Sequence, residues 1–135
     1  MPAHHVVLIV EDDASVREAT RSLVRSLGWT VRTHSSAEEL LQCETLADVA
    51  CIISDVQMPG LSGIEMYRRL LERGTTAPII FITAFASDLL QRQAHEVGAL
   101  CVFSKPVDAA LIGQRLDAIR AAATDGAHRG RSDGA

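Results

Sequence analysis

The sequence lacks the features that mark several classes of protein. Basic residues are not in excess, because 13 lysines and arginines stand against 17 aspartates and glutamates and the formal net charge is −4. The basic footprint of a nucleic-acid-binding domain is therefore missing. No apolar run approaches the roughly 18 residues of a membrane span, and residues 1–5 lack the charged and apolar regions of a signal peptide. We therefore expect a cytoplasmic protein that binds neither nucleic acid nor membrane.

Cysteine is scarce and poorly placed for cross-linking. Cys43, Cys51 and Cys101 are an odd number with wide spacing and no CxxC pair. This spacing favours neither a disulfide framework nor a zinc site. We interpret the cysteines as small buried thiols in a reducing compartment.

The composition is that of one globular domain. The chain has 135 residues, of which 47% are hydrophobic and 22% charged, and this balance favours a folded domain over disorder. A chain of this length buries roughly two-thirds of its unfolded surface, which is enough for one core. We predict an N-terminal extension over 1–5, a folded domain over 6–122, and a disordered tail or linker over 123–135, where apolar periodicity is missing.

Short apolar runs alternate with amphipathic segments along the folded part. The first run, Val6–Val10, is rich in β-branched residues, as is typical of a strand buried on both faces. Segments with helical spacing follow each run, and glycines end several of them. The predicted strands cover residues 6–10, 29–34, 51–54, 78–83 and 100–103, and the predicted helices cover 16–27, 35–43, 62–73, 87–97 and 108–122.

Five strand–helix units of this kind imply parallel strands joined by right-handed crossovers. With helices on both faces, the predicted fold is a three-layer α/β fold. It is a doubly wound, flavodoxin-like (βα)5 sheet in the order 2-1-3-4-5. Capping boxes at Ser35-Ser36-Ala37-Glu38 and Ser62-Gly63-Ile64-Glu65 predict where the second and third helices begin.

Polar side chains stand at the carboxyl ends of four predicted strands. They are Glu11, Asp12 and Asp13 after the first, Asp55 after the third, Thr83 at the end of the fourth, and Lys105 after the fifth. Ligands of such sheets bind beyond the carboxyl ends of the strands, so we expect these groups to form one site. Clustered carboxylates need a cation, and oxygen ligands suit Mg²⁺. A lysine and a hydroxyl beside them suit the oxygens of a phosphoryl group.

Together these groups are the parts for phosphoryl transfer to a carboxylate. Asp55 is the predicted nucleophile, and Lys105 and Thr83 are predicted to hold the phosphoryl oxygens. Each element also has a simpler interpretation, because acidic residues at a helix start complement the helix dipole and an aspartate after a strand is common in turns. The joint placement at four strand ends favours a functional site.

The motifs together resemble the receiver domain of two-component response regulators. They are Val10-Glu11-Asp12-Asp13, Ser54-Asp55-Val56-Gln57-Met58-Pro59-Gly60, Gly63, Thr83-Ala84 and Lys105-Pro106. The resemblance runs from about Val6 to Arg120, so the receiver domain is expected over 6–122. Met58-Pro59 and Ser62-Gly63 are most similar to the FixJ-like branch.

The resemblance implies a phosphoaccepting switch and not an enzyme. Asp55 matches the position that accepts a phosphoryl group from a sensor histidine kinase, and Thr83 and Lys105 match the family's hydroxyl and lysine. The new charge draws Thr83 inward and reorders the surface of the fourth helix, fifth strand and fifth helix. That surface is expected to meet a partner or a second copy, which would make a homodimer.

The resemblance also implies a set of metal ligands. Glu11, Asp12, Asp55 and the backbone carbonyl of Gln57 match the ligands of Mg²⁺ or Mn²⁺, with Asp12 binding directly and Glu11 through water. Asp13 lies one residue past the acidic pair and is predicted to cap the first helix. The bond between Lys105 and the following proline is often cis in the family.

Two positions depart from the family pattern. Val102 stands three residues before the lysine, where the family has an aromatic residue, and strand alternation places Phe103 on the opposite face. Gln57 brings a long polar side chain beside the path of attacking water. Phe85 follows the fourth strand, and either it supplies the moving aromatic group that Val102 lacks, or it packs on the neighbouring helix.

Three alternative functions make different demands on these residues. A phosphatase with an aspartyl nucleophile needs a carboxylate two residues after it, where this chain has Gln57. A flavin or dinucleotide carrier needs a GxGxxG turn, where this chain has Val10-Glu11-Asp12-Asp13. A receiver-like module that works by protein contact without phosphorylation has the same site residues. The chain is expected to be a stand-alone receiver or a piece of a longer regulator with a helix-turn-helix output domain.

Overall fold

The computed structural model describes residues 5–42 and 46–134, with side chains described as far as residue 122. Within these ranges, strands and helices alternate along the chain. The strands are β1 (Val6–Val10), β2 (Thr30–His34), β3 (Val49–Asp55), β4 (Ile79–Thr83) and β5 (Cys101–Ser104). The helices are α1 (Ala14–Ser26), α2 (Ala37–Leu41), α3 (Gly63–Glu72), α4 (Asp88–Glu96) and α5 (Ala109–Gly134).

The five strands form one sheet in the order β2-β1-β3-β4-β5, and every neighbouring pair is parallel. This arrangement confirms the predicted fold. Val10 at the end of β1 pairs with Ser54 of β3, and Thr83 at the end of β4 pairs with Ser104 of β5. The carboxyl ends of the central strands therefore meet at one edge of the sheet.

Helices cover both faces of the sheet because strand side chains point alternately to opposite sides. One face packs against α2, α3 and α4 through buried residues such as Leu40, Tyr67 and Leu90. The other face packs against α1 and α5 through residues such as Val24 and Ile112. The continuous apolar strands are thus buried on both sides, as their composition indicates.

Helix α2 begins one residue later than its predicted capping box implies. Its N-cap is Ser36, whose Oγ accepts the backbone N–H of Glu39 at 3.0 Å. Ser35 Oγ instead donates to Glu39 Oε2 at 2.9 Å. Because two serines stand side by side and glutamates follow both at the same spacing, local sequence satisfies either register. The second box is confirmed, since Ser62 Oγ accepts the backbone N–H of Glu65 at 3.1 Å.

The backbone of α5 is helical to Gly134, so the last helix is longer than the predicted 108–122. Alanines at 121–123 have high helix propensity, and no proline interrupts this stretch. The use of residues 123–135 as a linker and of 1–5 as an extension stays a prediction. In the part of the chain that is described, no helix has both the length and the apolar content that crossing a membrane requires.

Two of the cysteines are placed as buried or partly buried thiols. Cys51 in β3 is completely buried, and burial raises the pKa of its thiol to about 12. Cys101 in β5 is half-buried and free. The first predicted thiol, Cys43, lies outside the described residues.

Gly63 begins α3 in direct contact with β3. A Cβ at this position would collide with the backbone oxygen of Asp55 and lie 3.0 Å from Ser54 Oγ. Because the first of these atoms belongs to the backbone, the strand or the helix would have to move. Gly63→Ala is therefore expected to lower the free energy of unfolding by about 1–3 kcal/mol in urea denaturation.

Gly113→Ala in α5 is the matched control for this prediction. Its new Cβ would meet the side chain of Leu27 at 3.9 Å, which is ordinary contact. Alanine inside a helix is about 1 kcal/mol more favourable than glycine, so this variant should be at least as stable as the wild type. Equal stability of the two variants would contradict the proposed collision at Gly63.

Candidate functional site

The carboxyl edge of the sheet carries the polar groups that the sequence predicted there. Asp55 is the last residue of β3 and Thr83 is the last residue of β4, whereas Glu11 and Lys105 directly follow β1 and β5. The side chains of Glu11, Asp55 and Thr83 are buried. The parallel sheet thus brings four groups from distant parts of the sequence to one place.

Lys105 joins the two buried carboxylates. Its Nζ donates a hydrogen bond to Asp55 Oδ2 at 2.8 Å and lies 2.9 Å from Glu11 Oε1. The lysine side chain is 20% exposed, so its charge is only partly hydrated. Burial alone would lower the pKa of Lys105, but the contacts with Asp55 and Glu11 together raise it above its usual value. The ammonium group therefore stays charged between the two acids.

Lys105 is the only lysine of the chain, and the other 12 basic residues are arginines. A lysine ammonium is a compact point charge on a flexible stem, whereas an arginine guanidinium is a planar fork. One nitrogen that contacts carboxylates from two different strands needs the compact group. A single lysine among 12 arginines is therefore a feature of the sequence that indicates a special role for Lys105, independently of the motifs.

Glu11 is the most strongly perturbed acid of the site. Burial, which the contact with Lys105 offsets only in part, raises the pKa of Glu11 to about 7. Its Oε2 accepts the backbone N–H of Asp13 at 3.2 Å. Among the described residues, its Oε1 has the ion-pair contact with Lys105 but no hydrogen-bond donor with suitable geometry. This buried oxygen can accept a further donor or a cation.

Three carboxylates form an acidic group that could hold a metal ion. One oxygen from each of Glu11, Asp12 and Asp55 lies within 4.8 Å of the others. Asp12 is exposed, which leaves the group open to solvent. Gln57 is also adjacent, because its backbone N–H donates to Asp55 Oδ1 at 3.2 Å. A set of oxygen ligands of this kind suits a hard divalent cation.

Thr83 reaches the same edge, but its hydroxyl is bonded to the loop that follows β4. Its Oγ1 accepts the backbone N–H of Phe85 at 3.2 Å, and its backbone oxygen accepts the N–H of Lys105 at 2.8 Å. The Phe85 side chain is 76% exposed. The interpretation that Phe85 packs on the neighbouring helix is therefore wrong for this structure, and its role as a moving aromatic group stays a prediction.

Three further expectations about the neighbourhood are confirmed. Val102 packs on the face of the sheet that α3 and α4 cover, and Phe103 packs on the opposite face. Asp13 caps α1, because its Oδ1 accepts the backbone N–H groups of Ser15 and Val16. The bond between Lys105 and Pro106 is cis, as the resemblance implies.

Sequence reasoning missed two residues that support the site. Arg17 on α1 donates from Nη1 to the backbone oxygen of Glu11 at 2.8 Å. Glu38 on α2 accepts the backbone N–H of Leu61 at 3.0 Å, in the loop after β3. Arg17 belongs to no motif and Glu38 was predicted only as part of a capping box, because both contacts depend on how a helix lies against the sheet edge.

A doubly wound sheet whose carboxyl edge gathers carboxylates, a hydroxyl and one lysine defines the class of receiver domains. The family model described as response regulator receiver domain matches residues 7–117. The chain therefore belongs to the response regulator receiver domain family. Members of this family are signalling switches of two-component systems and not classical enzymes.

Individual relatives agree with this assignment. The transcriptional regulatory protein FixJ of Azorhizobium caulinodans is 36% identical over 135 residues, which is 100% of this chain and 63% of the relative. The response regulator protein TodT of Pseudomonas putida is 41% identical over 117 residues, 87% of this chain and 50% of the relative. The solved structure of the chemotaxis protein CheY4 of Vibrio cholerae matches with a TM-score of 0.76 and 27% identity, covering 86% of this chain and 98% of that one. The predicted resemblance, including its FixJ-like character, is confirmed.

Removal of the Lys105 charge should lower the stability of the fold, because two carboxylates lose their shared cation. Lys105→Met leaves Glu11 and Asp55 without their cation, and an unpaired buried charge is costly. Because Lys105 is partly exposed and Glu11 can take up a proton, we expect a loss of only about 1–3 kcal/mol in the free energy of unfolding. Urea denaturation at neutral pH in the presence of EDTA measures this loss.

The double variant Glu11→Gln/Lys105→Met tests the cause of that loss. It removes the fully buried carboxylate together with its partner, so it should be more stable than Lys105→Met alone. A double variant that is less stable than Lys105→Met would show that lost packing, and not unpaired charge, explains the effect.

Proposed function

We propose that this chain is a phosphoaccepting switch in which a sensor histidine kinase transfers a phosphoryl group to Asp55. The observation that carries the proposal is the contact of Lys105 with Asp55 Oδ2 at 2.8 Å, beside an acidic group that could hold a metal. A buried carboxylate paired with one lysine at a sheet edge is suited to accept a phosphoryl group and to compensate its charge.

In the proposed reaction, a carboxylate oxygen of Asp55 attacks the phosphorus of a phosphohistidine. A phosphorus–oxygen bond forms, the phosphorus–nitrogen bond breaks, and the imidazole leaves with the electron pair and takes up a proton. Lys105 and Thr83 bind the phosphoryl oxygens, which orients the group and offsets its charge. The chain assists only this transfer and the later hydrolysis of its own aspartyl phosphate.

The residues present fit a divalent cation. Glu11, whose Oε1 has no hydrogen-bond donor of suitable geometry among the described residues, the exposed Asp12 and the buried Asp55 supply carboxylate oxygens, and the backbone carbonyl of Gln57 completes the proposed ligand set. We propose Mg²⁺ or Mn²⁺ as the ion, because both prefer oxygen ligands. When bound, the cation neutralises negative charge where carboxylates and phosphoryl oxygens meet.

The proposed output is a rearrangement of the α4-β5-α5 face. Thr83 now accepts the N–H of Phe85, so a hydroxyl that turns toward a phosphoryl group withdraws this acceptor from the loop. The loop leads directly into α4, where Leu89 is 57% exposed, and Leu111 on α5 is 42% exposed. These apolar side chains support a homodimer or a partner interface on this face.

We also propose how the receiver is connected within a longer protein and where it acts. Its FixJ and TodT relatives are longer than this chain and are named as regulators, so we propose that the receiver occupies 6–122 and that residues 123–135 connect it to an output domain. The net charge of −4 supports a domain that contacts no nucleic acid itself. We place its action in the cytoplasm, without membrane contact.

Asp55 should carry the phosphoryl group. Incubation with acetyl phosphate and Mg²⁺ is expected to add one phosphoryl mass to the intact protein, because the small donor replaces the kinase. Asp55→Asn should lose this addition, since the amide is not a nucleophile of this kind, whereas Asp88→Asn on α4 should retain it. A single addition that persists in Asp55→Asn would refute the assignment, and a wild type that takes up no group would favour a module that works by contact alone.

Mg²⁺ should stabilise the fold by binding the acidic group. A ligand at a hundredfold excess over its Kd adds about 2.7 kcal/mol to the free energy of unfolding. Asp12→Ala removes one proposed ligand and should reduce the Mg²⁺-dependent shift in melting temperature. Asp117→Ala on α5 should leave that shift unchanged, and an undiminished shift in Asp12→Ala would exclude this residue as a ligand.

A further inference from the structure

Helix α2 touches the loop that follows the phosphoacceptor strand. Glu38 Oε2 accepts the backbone N–H of Leu61 at 3.0 Å, although the two residues are 23 positions apart. The same oxygen lies so close to Gly60 that a Cβ there would be 2.5 Å away. Gly60 has a φ of 81°, in the left-handed region that glycine adopts without strain. The glycine therefore permits the turn and also leaves room for the carboxylate.

The loop that Glu38 touches is continuous with the candidate site. At its start, the N–H of Gln57 donates to Asp55 Oδ1 at 3.2 Å. At its end, the N–H of Gly63 donates to the backbone oxygen of Val56 at 2.9 Å. The contact with Glu38 lies between these two points. It holds the middle of the loop, where the chain turns from β3 toward α3.

Helix α2 can hold the loop because it is itself fixed to the body of the domain. Leu40 is buried in the core, and Ser36 caps the helix start. Its end is tied to α3, since Arg73 Nη1 donates to the backbone oxygen of Leu41 at 2.6 Å. The hydrogen bond from Leu61 lowers the pKa of Glu38, so the acceptor is an ionised carboxylate at neutral pH. Hydrogen bonds to charged acceptors are stronger than neutral ones.

We propose that Glu38 is a positioning residue for the phosphoacceptor site, which it serves by fixing the loop that carries Gln57. The proposal rests on the function proposed above, because it gives the Gln57 carbonyl a role as metal ligand. Groups that orient a ligand from the outside contribute strongly to metal affinity. Glu38 acts in this way on a backbone ligand, through the hydrogen bond to Leu61.

Three variants separate this role from general stability. Glu38→Ala removes the acceptor, Glu38→Gln keeps an oxygen that can accept the N–H of Leu61, and Glu39→Ala removes the neighbouring carboxylate, which contacts His34 and Ser35 instead of the loop. Both positions are on the surface, so the three variants should fold.

The first measurement is amide hydrogen exchange of Leu61 in the metal-free protein. We expect about tenfold faster exchange in Glu38→Ala, as for an amide that has lost a bond to a charged acceptor, a smaller increase in Glu38→Gln, whose neutral oxygen is a weaker acceptor, and wild-type exchange in Glu39→Ala. The second measurement is the Kd for Mg²⁺ by calorimetry. We expect the Kd to rise by about three- to tenfold in Glu38→Ala, which is at or below the lower end of the effects of outer-shell partners. Glu38→Gln should bring the Kd back toward the wild-type value.

The outcomes distinguish this role from the proposed function. A wild type that binds Mg²⁺ and accepts the phosphoryl group, with an unchanged Kd in Glu38→Ala, overturns the role of Glu38 alone. A lower melting temperature with an unchanged Kd does the same, because it shows a merely structural contact. A wild type that neither binds Mg²⁺ nor accepts the phosphoryl group overturns the proposed function itself.

Discussion

Lys105 reaches from the end of β5 to carboxylates on β3 and β1, with contacts of 2.8 Å to Asp55 and 2.9 Å to Glu11. Asp55 ends a strand two places away from β5, and Glu11 follows a strand three places away. Each spacing between neighbouring strands is roughly 4.7–4.9 Å, so the contacts need a long side chain on Lys105 and acids that extend toward it. The order of the strands and the length of lysine therefore serve one electrostatic requirement. Two buried acids in one place need a shared cation.

That requirement makes the edge of the sheet different from its interior. Elsewhere the strands bury apolar side chains on both faces, but here Glu11 is completely buried and its pKa is raised to about 7. Such perturbed acids are typical of functional sites, where local stability is exchanged for chemistry. Charges in such a partly buried place interact more strongly than charges in bulk water. The proposed binding of a cation or a phosphoryl group would therefore change the charge balance most at Glu11 and Asp55.

One local contact is repeated in three loops at the edge of the sheet. Three site side chains each accept the backbone N–H of the residue two positions later, in the pairs Glu11–Asp13, Asp55–Gln57 and Thr83–Phe85. Each loop at the sheet edge therefore depends on the orientation of a reactive group, as in turns that a polar side chain closes. The loop after β3 has an additional contact with Glu38, whereas the loop after β4 leads to an exposed Phe85. The loop after β3 therefore has a second fixed point, whereas the Phe85 side chain in the loop after β4 lies mostly in solvent.

Sequence by itself determined the strands, their order and the groups that arrive at the sheet edge. Apolar runs and helical spacing locate β1 to β5, handedness leaves few topologies for five such units, and residues that follow parallel strands must share one edge. Only the tertiary structure decided which of these groups touch. Lys105 and Asp55 are 50 positions apart and Glu38 and Leu61 are 23 apart, so their contacts depend on helix placement and rotamers that local patterns do not encode. The start of α2 was equally open, because adjacent serines satisfy the same capping pattern, and in the structure Ser36 is the cap while the Glu38 carboxylate contacts the loop.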